Sequence, residues 1–308
     1  MTEAAVSSLR NRWAGALAWS AVVAGSLLLT ALAAPLVFAA LQGLVAEFRY
    51  PPSRVFNRVA MVFAVLLLVL LRRELGWPEL WRLLGRGSVP QRGAEVAVGM
   101  TVSLAAVGLG ILWAFAVGQL GPTLNPYSFF AMRTAEAFVG GIVVALMEES
   151  FFRGLMLSSL ARGLGWRAAA VLSSMVYSLV HLLVPDRSVT WEGYSWDAGL
   201  GYLVHVLDRQ VEPAALPPLF GLFIAGMVLA WVVRATGSLM LAVGLHAGWA
   251  FAFPVVRHAT RVLVDIPGTS LLAGQHYVVG TTWAWSSLVL AGVVVVVWAR
   301  LRERRGRR

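Results

Sequence analysis

Two adjacent glutamates, followed by an arginine four places after the second, stand in Glu148-Glu149-Ser150-Phe151-Phe152-Arg153. This is the densest ionisable group within the apolar part of the sequence. Ionisable side chains inside a membrane-spanning helix are costly and rare, so the first reading of each is functional. On a helix Glu149 and Arg153 fall at i and i+4 with the acid N-terminal, the favourable order for an ion pair. Arg153 then neutralises one carboxylate and leaves Glu148 for other work. A guanidinium cannot serve as a base, so Arg153 is expected to organise Glu149 rather than react. A carboxylate held in a low-dielectric site can act as a general base on water. The competing reading is a structural ion-pair cluster at a helix end.

Five histidines occur, at positions 181, 205, 246, 258 and 276. His181 follows Tyr177 by one helical turn, and His246 lies in the apolar stretch Gly-Ser-Leu-Met-Leu-Ala-Val-Gly-Leu-His-Ala-Gly-Trp. A lone buried histidine is usually structural, but polar groups in lipid must find partners. Two intramembrane histidines and a paired-glutamate motif most readily find one another. With Gly163 to Gly165 as a turn, Glu148 and His181 both lie roughly 22 to 24 Å from it at the ~1.5 Å helical rise. Counted from Gly237, His246 lies only about 14 Å in, so meeting the pair requires tilt or a turn that dips into the membrane. His205, His258 and His276 fall in loops or near span ends and are expected to be solvated.

These residues must be carried by membrane helices. The chain of 308 residues is 59% hydrophobic and 13% charged, with a mean hydropathy of +0.75, a surplus that needs lipid as solvent. Uncharged runs cover 13–46, 59–71, 96–132, 137–147, 168–185, 213–233, 235–256 and 266–299. Most reach the ~20 apolar residues that cross a bilayer, which predicts an all-α polytopic protein of about eight transmembrane helices. The short run 59–71 is bounded by Arg58 and Arg72, which can snorkel. Residues 1–308 read as one membrane domain: N-terminal spans over 1–125, a catalytic core over 126–260, and a last span with a basic tail over 261–308. Near 74–92, Trp77, Leu80, Trp81 and Leu84 can share the apolar face of an interfacial helix. The segment 186–212, with Trp191, Tyr194, Trp196 and Tyr202, reads as an aromatic interface loop that caps a site or anchors the chain. The tryptophans at 77, 81, 191, 196, 283, 285 and 298 are expected as interface anchors.

The net charge of +10 comes from arginine alone, since lysine is absent. On a soluble protein this would raise nucleic acid as a partner. With eight spans and a cytoplasmic N-terminus, 17 of the 25 arginines fall on the cytoplasmic side, so the positive-inside rule accounts for them. Both termini are expected in the cytoplasm, with no nucleic-acid partner. The first apolar run reads as a retained span rather than a cleaved signal. The arginine and alanine richness suggests a bacterial plasma or inner membrane. Zero cysteines exclude disulfides and thiolate chemistry.

Three motifs in order resemble the CAAX prenyl endopeptidase and bacteriocin-processing (CPBP, or Abi) family of glutamic intramembrane proteases, over about residues 130 to 260. The first is Glu148-Glu149 with Arg153 and the Phe-Arg-Gly continuation. The second is Tyr177 to His181, with tyrosine in place of the usual phenylalanine. The third is His246 after the Gly237-Ser238 helix start. The resemblance implies that Glu148 and His181 activate a water for attack on a peptide carbonyl, with His246 stabilising the oxyanion. Glu149, Arg153, Tyr177 and Trp249 are the implied supporting residues. The family usually places a polar residue four positions after the last histidine, and this chain has Ala250. The Trp249 indole N–H or a backbone amide near Gly248 can stand in for it. The expected substrate is a membrane-anchored or lipid-modified protein or peptide.

Glu148, His181 and His246 would equally make a divalent metal site with an open position. The compact His-Glu-x-x-His pattern specific for zinc is lacking, and a metal-independent mechanism without cofactor is the expectation. Two non-peptidase readings remain beside it. One is a catalytically impaired immunity or scaffold protein, and the other a proton-coupled transporter with Gly-interrupted helices.

Overall fold

The computed structural model describes residues 13–45, 48–123, 127–181, 186, 188–191, 194–213, 215–263 and 280–305. The helices, in chain order, are α1 (Trp13–Leu44), α2 (Pro52–Leu70), α3 (Trp77–Leu84), α4 (Val89–Ala116), α5 (Tyr127–Glu149), α6 (Ser158–Leu164), α7 (Trp166–His181), α8 (Ala198–Asp208), α9 (Leu216–Thr236), α10 (Leu239–Ala259) and α11 (Thr282–Arg305). A π-helical segment, Ser150–Leu157, joins α5 to α6 without a break. Two three-residue strands, β1 (Leu120–Pro122) and β2 (Thr260–Val262), pair antiparallel at one end of the bundle. The protein is all-α and polytopic, and seven helices are long and apolar enough to cross a membrane.

The expected count was about eight, and the difference lies in α7. Its described part is 16 residues long, and residues 182–185 of the expected run lie outside the described residues. Elsewhere the apolar runs underestimate the helices. The run 59–71 belongs to a helix that begins at Pro52 and takes in Arg54 and Arg58. The run 137–147 belongs to a span of 35 residues, Phe130–Leu164. The charges of Glu148, Glu149 and Arg153 interrupt its hydropathy, while the helix runs on through them, with Glu149 paired to Arg153 and Glu148 facing His181.

Helix α10 is the centre of the bundle, with every residue from Leu239 to Trp249 buried. It packs on α4 and α5, and glycines bring the backbones close. A Cβ on Gly99 of α4 would stand 2.6 Å from the Leu241 carbonyl oxygen, and one on Gly141 of α5 would stand 3.1 Å from that of Ala247. Small residues at such crossings are how membrane helices associate without a hydrophobic driving force. Helix α9 packs between α7 and α11, while α1, α2 and α8 form a second unit with its own core around Phe38, Phe56, Trp191 and Tyr202.

The expected interfacial helix exists as α3, opened by Pro78 near its start. It does more than lie on the surface. Leu80 and Leu83 are buried, and Leu80 seats on Gly154 of the π segment, while Trp81 is exposed. The segment 186–212 is likewise not a plain loop, since α8 occupies its second half. Trp191 is buried, edge-on to Phe38 and Tyr202, so it is a core residue rather than an interface anchor. His205, expected in solvent, lies on α8 with Nε2 2.9 Å from Asp186 Oδ2, and Arg209 Nη1 is 3.3 Å from the same oxygen. Hydrogen bonds from Ser188 and His205 hold the Asp186 carboxyl well below the usual carboxylate range. His258 ends α10 half-buried, and His276 lies outside the described residues.

Candidate active site

Glu148 closes the last turn of α5, just before the π segment opens. A π turn takes one more residue than an α turn, and such bulges recur at functional sites. Arg153, within it, is turned inward and buried. Its Nη1 donates to Glu149 Oε1 at 3.1 Å and its Nη2 to the Gly226 carbonyl of α9 at 3.2 Å. The expected i, i+4 pair therefore forms, and it is fully buried: the side chains of Glu149 and Arg153 are 0% and 1% exposed. A buried ion pair is tolerated only when its remaining hydrogen-bonding capacity is used, and the Gly226 carbonyl uses part of Arg153's.

Glu149 Oε1 also accepts from His246 Nδ1 at 2.8 Å. This contact was not anticipated, because the sequence reading gave Glu149 a single partner on its own helix. The signal was present in the rule that an intramembrane histidine must find a polar partner, but nothing in the spacing said which glutamate it would choose. Glu149 thus joins three elements: its own helix, the π segment through Arg153, and α10 through His246.

The remaining histidine nitrogens converge on Glu148. His181 Nε2 is 3.1 Å and His246 Nε2 is 3.7 Å from Glu148 Oε2. One donor atom from each residue lies within 4.8 Å of the other two. Glu148 and His181 are partly open, at 27% and 26% side-chain exposure, whereas His246 is at 6%. His181 Nδ1 is held by the Tyr177 carbonyl at 2.8 Å. Both rings therefore spend their Nδ1–H on an anchor and turn Nε2 toward the Glu148 carboxylate. Glu148 Oε2 has no hydrogen-bond partner of good geometry despite the short approach of His181.

The sequence count lets His246 meet the pair only through tilt or a turn that dips into the membrane, and His246 Nε2 does reach Glu148 Oε2. The Gly237 turn is seated against the side of α4. Ser238, the N-cap of α10, donates its hydroxyl to Glu95 Oε2 at 2.6 Å, and Glu95 lies six residues beyond Val89, about 9 Å into α4. Arg86 reaches in to donate to the Gly237 carbonyl at 2.7 Å. With the turn drawn inward, the short count from Gly237 brings His246 to the depth of Glu148.

Tyr177 is buried and lies between the two rings, with its centroid 4.2 Å from that of His181 and 6.0 Å from that of His246. Arg153 Cζ sits 4.6 Å over the Tyr177 ring and Phe152 packs edge-on at 5.1 Å. The aromatic position thus fixes the histidines and covers the guanidinium. Trp249, one turn past His246, is buried with no hydrogen-bond partner for Nε1 among the described residues. Ala250 is half-buried on the side of α10 that packs along α5 near Gly141.

No curated protein and no solved structure matches the chain. One family model does, described as type II CAAX prenyl endopeptidase Rce1-like, over residues 130–252, which take in all three motifs and the whole of the cluster just described. Residues 130–252 are therefore similar to the type II CAAX prenyl endopeptidase Rce1-like family, the same family that the three motifs resemble.

Proposed function

We propose that this protein is an intramembrane endopeptidase in which Glu148 and His181 activate a water, and that it cuts a membrane-anchored or lipid-modified protein or peptide. The observation that carries the reading is the convergence of Glu148 Oε2, His181 Nε2 and His246 Nε2 on one partly open point, with both Nδ1 atoms already anchored.

A water at that point donates to Glu148 and His181. Glu148 takes one proton as the water oxygen bonds to the scissile carbonyl carbon, and the carbonyl electrons move onto its oxygen. His246 donates from Nε2 to that oxyanion, while its Nδ1 stays on Glu149 Oε1. Collapse breaks the C–N bond, and Glu148 returns its proton to the leaving amine. A single oxyanion donor is typically worth about 2.7 to 4 kcal/mol, so Ala250 in place of a polar residue predicts a slower enzyme unless Trp249 Nε1 supplies the second donor. An apolar cavity of about 330 Å³ bounded by α1, α2, α7, α8 and the π segment reaches Phe152 and Val180, the neighbours of Tyr177 and His181. It offers room for the apolar part of a substrate.

The test compares membrane-protein termini in cells carrying the wild-type chain, Glu148→Ala or His181→Ala. Each variant is expected to lose about 10²- to 10⁴-fold of cleavage, the usual worth of a general acid–base group, while the protein still folds. If no terminus differs between wild type and Glu148→Ala, the peptidase reading fails and an impaired immunity or scaffold protein takes its place.

A second reading rests on the same anchored histidines. Metal-ligating histidines characteristically give their other N–H to a carboxylate or a carbonyl, as His246 and His181 do here. Glu148, His181 and His246 would hold a divalent ion such as zinc, which would supply Lewis acidity. The metal-independent form is the one proposed; it requires cleavage to survive thorough chelation. Loss that zinc restores selects the metal form.

A further inference from the structure

An apolar cleft of about 710 Å³ lies away from the glutamates, between α1 and α2. Ala33, Val37 and Leu41 of α1 face Val59, Val62 and Phe63 of α2 across it. Its mouth is different in character. Arg54 and Arg58, one helical turn apart on α2, line it together with Tyr50. Among the described residues no acid lines this cleft and neither guanidinium has a carboxylate partner. The Arg54 guanidinium lies over the Tyr50 ring at 4.7 Å, and Arg58 Nη1 is 3.6 Å from Met61 Sδ. Arg58 stands six residues inside a helix that is apolar enough to span, about 9 Å from its start.

A guanidinium at that depth needs oxygen acceptors, and a wet apolar groove in a bilayer is unfavourable. One ligand meets both demands. We propose that this cleft binds a single anionic glycerophospholipid, with its phosphate bridging Arg54 and Arg58 and an acyl chain lying between α1 and α2. Planar guanidinium forks suit phosphate, and two positive charges with no acid beside them among the described residues favour a headgroup of net negative charge over a zwitterion. The site does not depend on the peptidase reading, since it shares no residue with the glutamate–histidine cluster.

The test is native mass spectrometry of the full chain released from detergent, titrated with phosphatidylglycerol or with phosphatidylcholine of the same acyl chains. A basic residue at a headgroup is worth about fivefold in affinity, so two predict a preference of roughly thirtyfold for phosphatidylglycerol. R54Q/R58Q should bring the two lipids to near parity, while Arg257→Gln, exposed elsewhere at the end of α10, should retain the preference. V37F/V62F, at two exposed positions that line the cleft, should weaken both lipids by filling the groove. That variant carries the test if R54Q/R58Q does not fold. Equal binding of both lipids by the wild type, a preference that survives R54Q/R58Q, or lipid binding unaffected by V37F/V62F would each overturn the proposal. So would displacement of phosphatidylglycerol by equimolar inorganic phosphate, which would leave an anion site with no role for the acyl chain.

Discussion

At the scale of single residues, the candidate site divides into groups that sequence alone reveals and groups that only packing reveals. Glu148 and His181 stand out because ionisable residues are conspicuous in apolar runs, and their equal distance from one turn places them together. Glu149 is different. Its ion pair with Arg153 follows from spacing, but its bond to His246 joins residues 97 apart in sequence, and no local pattern encodes that. The consequence is measurable. Glu149 is the only acid within ion-pair distance of Arg153 among the described residues, and breaking a buried pair by removing one partner costs about 3 to 5 kcal/mol. Glu149→Gln and Arg153→Met are each expected to lower the unfolding temperature in detergent sharply. Removing both charges in Glu149→Leu/Arg153→Met should recover much of that loss, because apolar residues of similar volume replace a buried pair at little cost. Cleavage should stay low in the double variant, since His246 Nδ1 has lost its acceptor. If Glu149→Gln melts like the wild type, the pair is not what holds the π segment to α9 and α10.

At the scale of elements, hydropathy located every spanning helix but misjudged their ends, and the reasons are local. Arg54 and Arg58 are tolerated in α2 because they are exposed near its end, and Glu149 and Arg153 are tolerated in a continuous span because they pair with each other. The pairing of β1 with β2 was not legible, since three residues containing Pro122 carry no strand period. Nor was the docking of α8, which depends on two positions in different helices. Pro35 within α1 has no N–H to give the Ala31 carbonyl, and Gly199 of α8 presses its Cα against that freed oxygen. A Cβ at Gly199 would overlap the Ala31 carbonyl oxygen. Gly199→Ala should therefore lift α8 from α1 at a cost of about 1 to 3 kcal/mol, the usual penalty of overpacking. Hydrogen exchange should accelerate over 194–208 while α9 and α10 keep their protection. Unchanged exchange across α8 would mean that its seat can yield without loss.

At the scale of the whole molecule, the helices alternate, so the connections fall into two sets. Arg162 donates to the Glu74 carbonyl and Arg86 to that of Gly237, which gathers the turns at 71–88, 165 and 237–238 at one end. The β1–β2 pair marks the other end, to which α7 must cross for the segment 186–212 to join it. The first end carries Arg72, Arg73, Arg82, Arg86, Arg92, Arg162, Arg167 and Arg234, and the positive-inside rule predicts that it faces the cytoplasm. Because the chain has no cysteine, single substitutions report orientation without background. Val89 and Leu301 belong to the arginine-rich end, while Val117 and Val211 belong to the opposite end, and all four side chains are exposed. Cysteines at Val89 and Leu301 should resist a membrane-impermeant maleimide in intact cells and react after lysis; those at Val117 and Val211 should react from outside. The Val211 result decides the parity of the fold. Labelling of Val117→Cys but not Val211→Cys from outside would mean that α7, only 16 described residues long, turns back without crossing. The site would then open toward the cytoplasm, because His181 would end a re-entrant helix rather than a span.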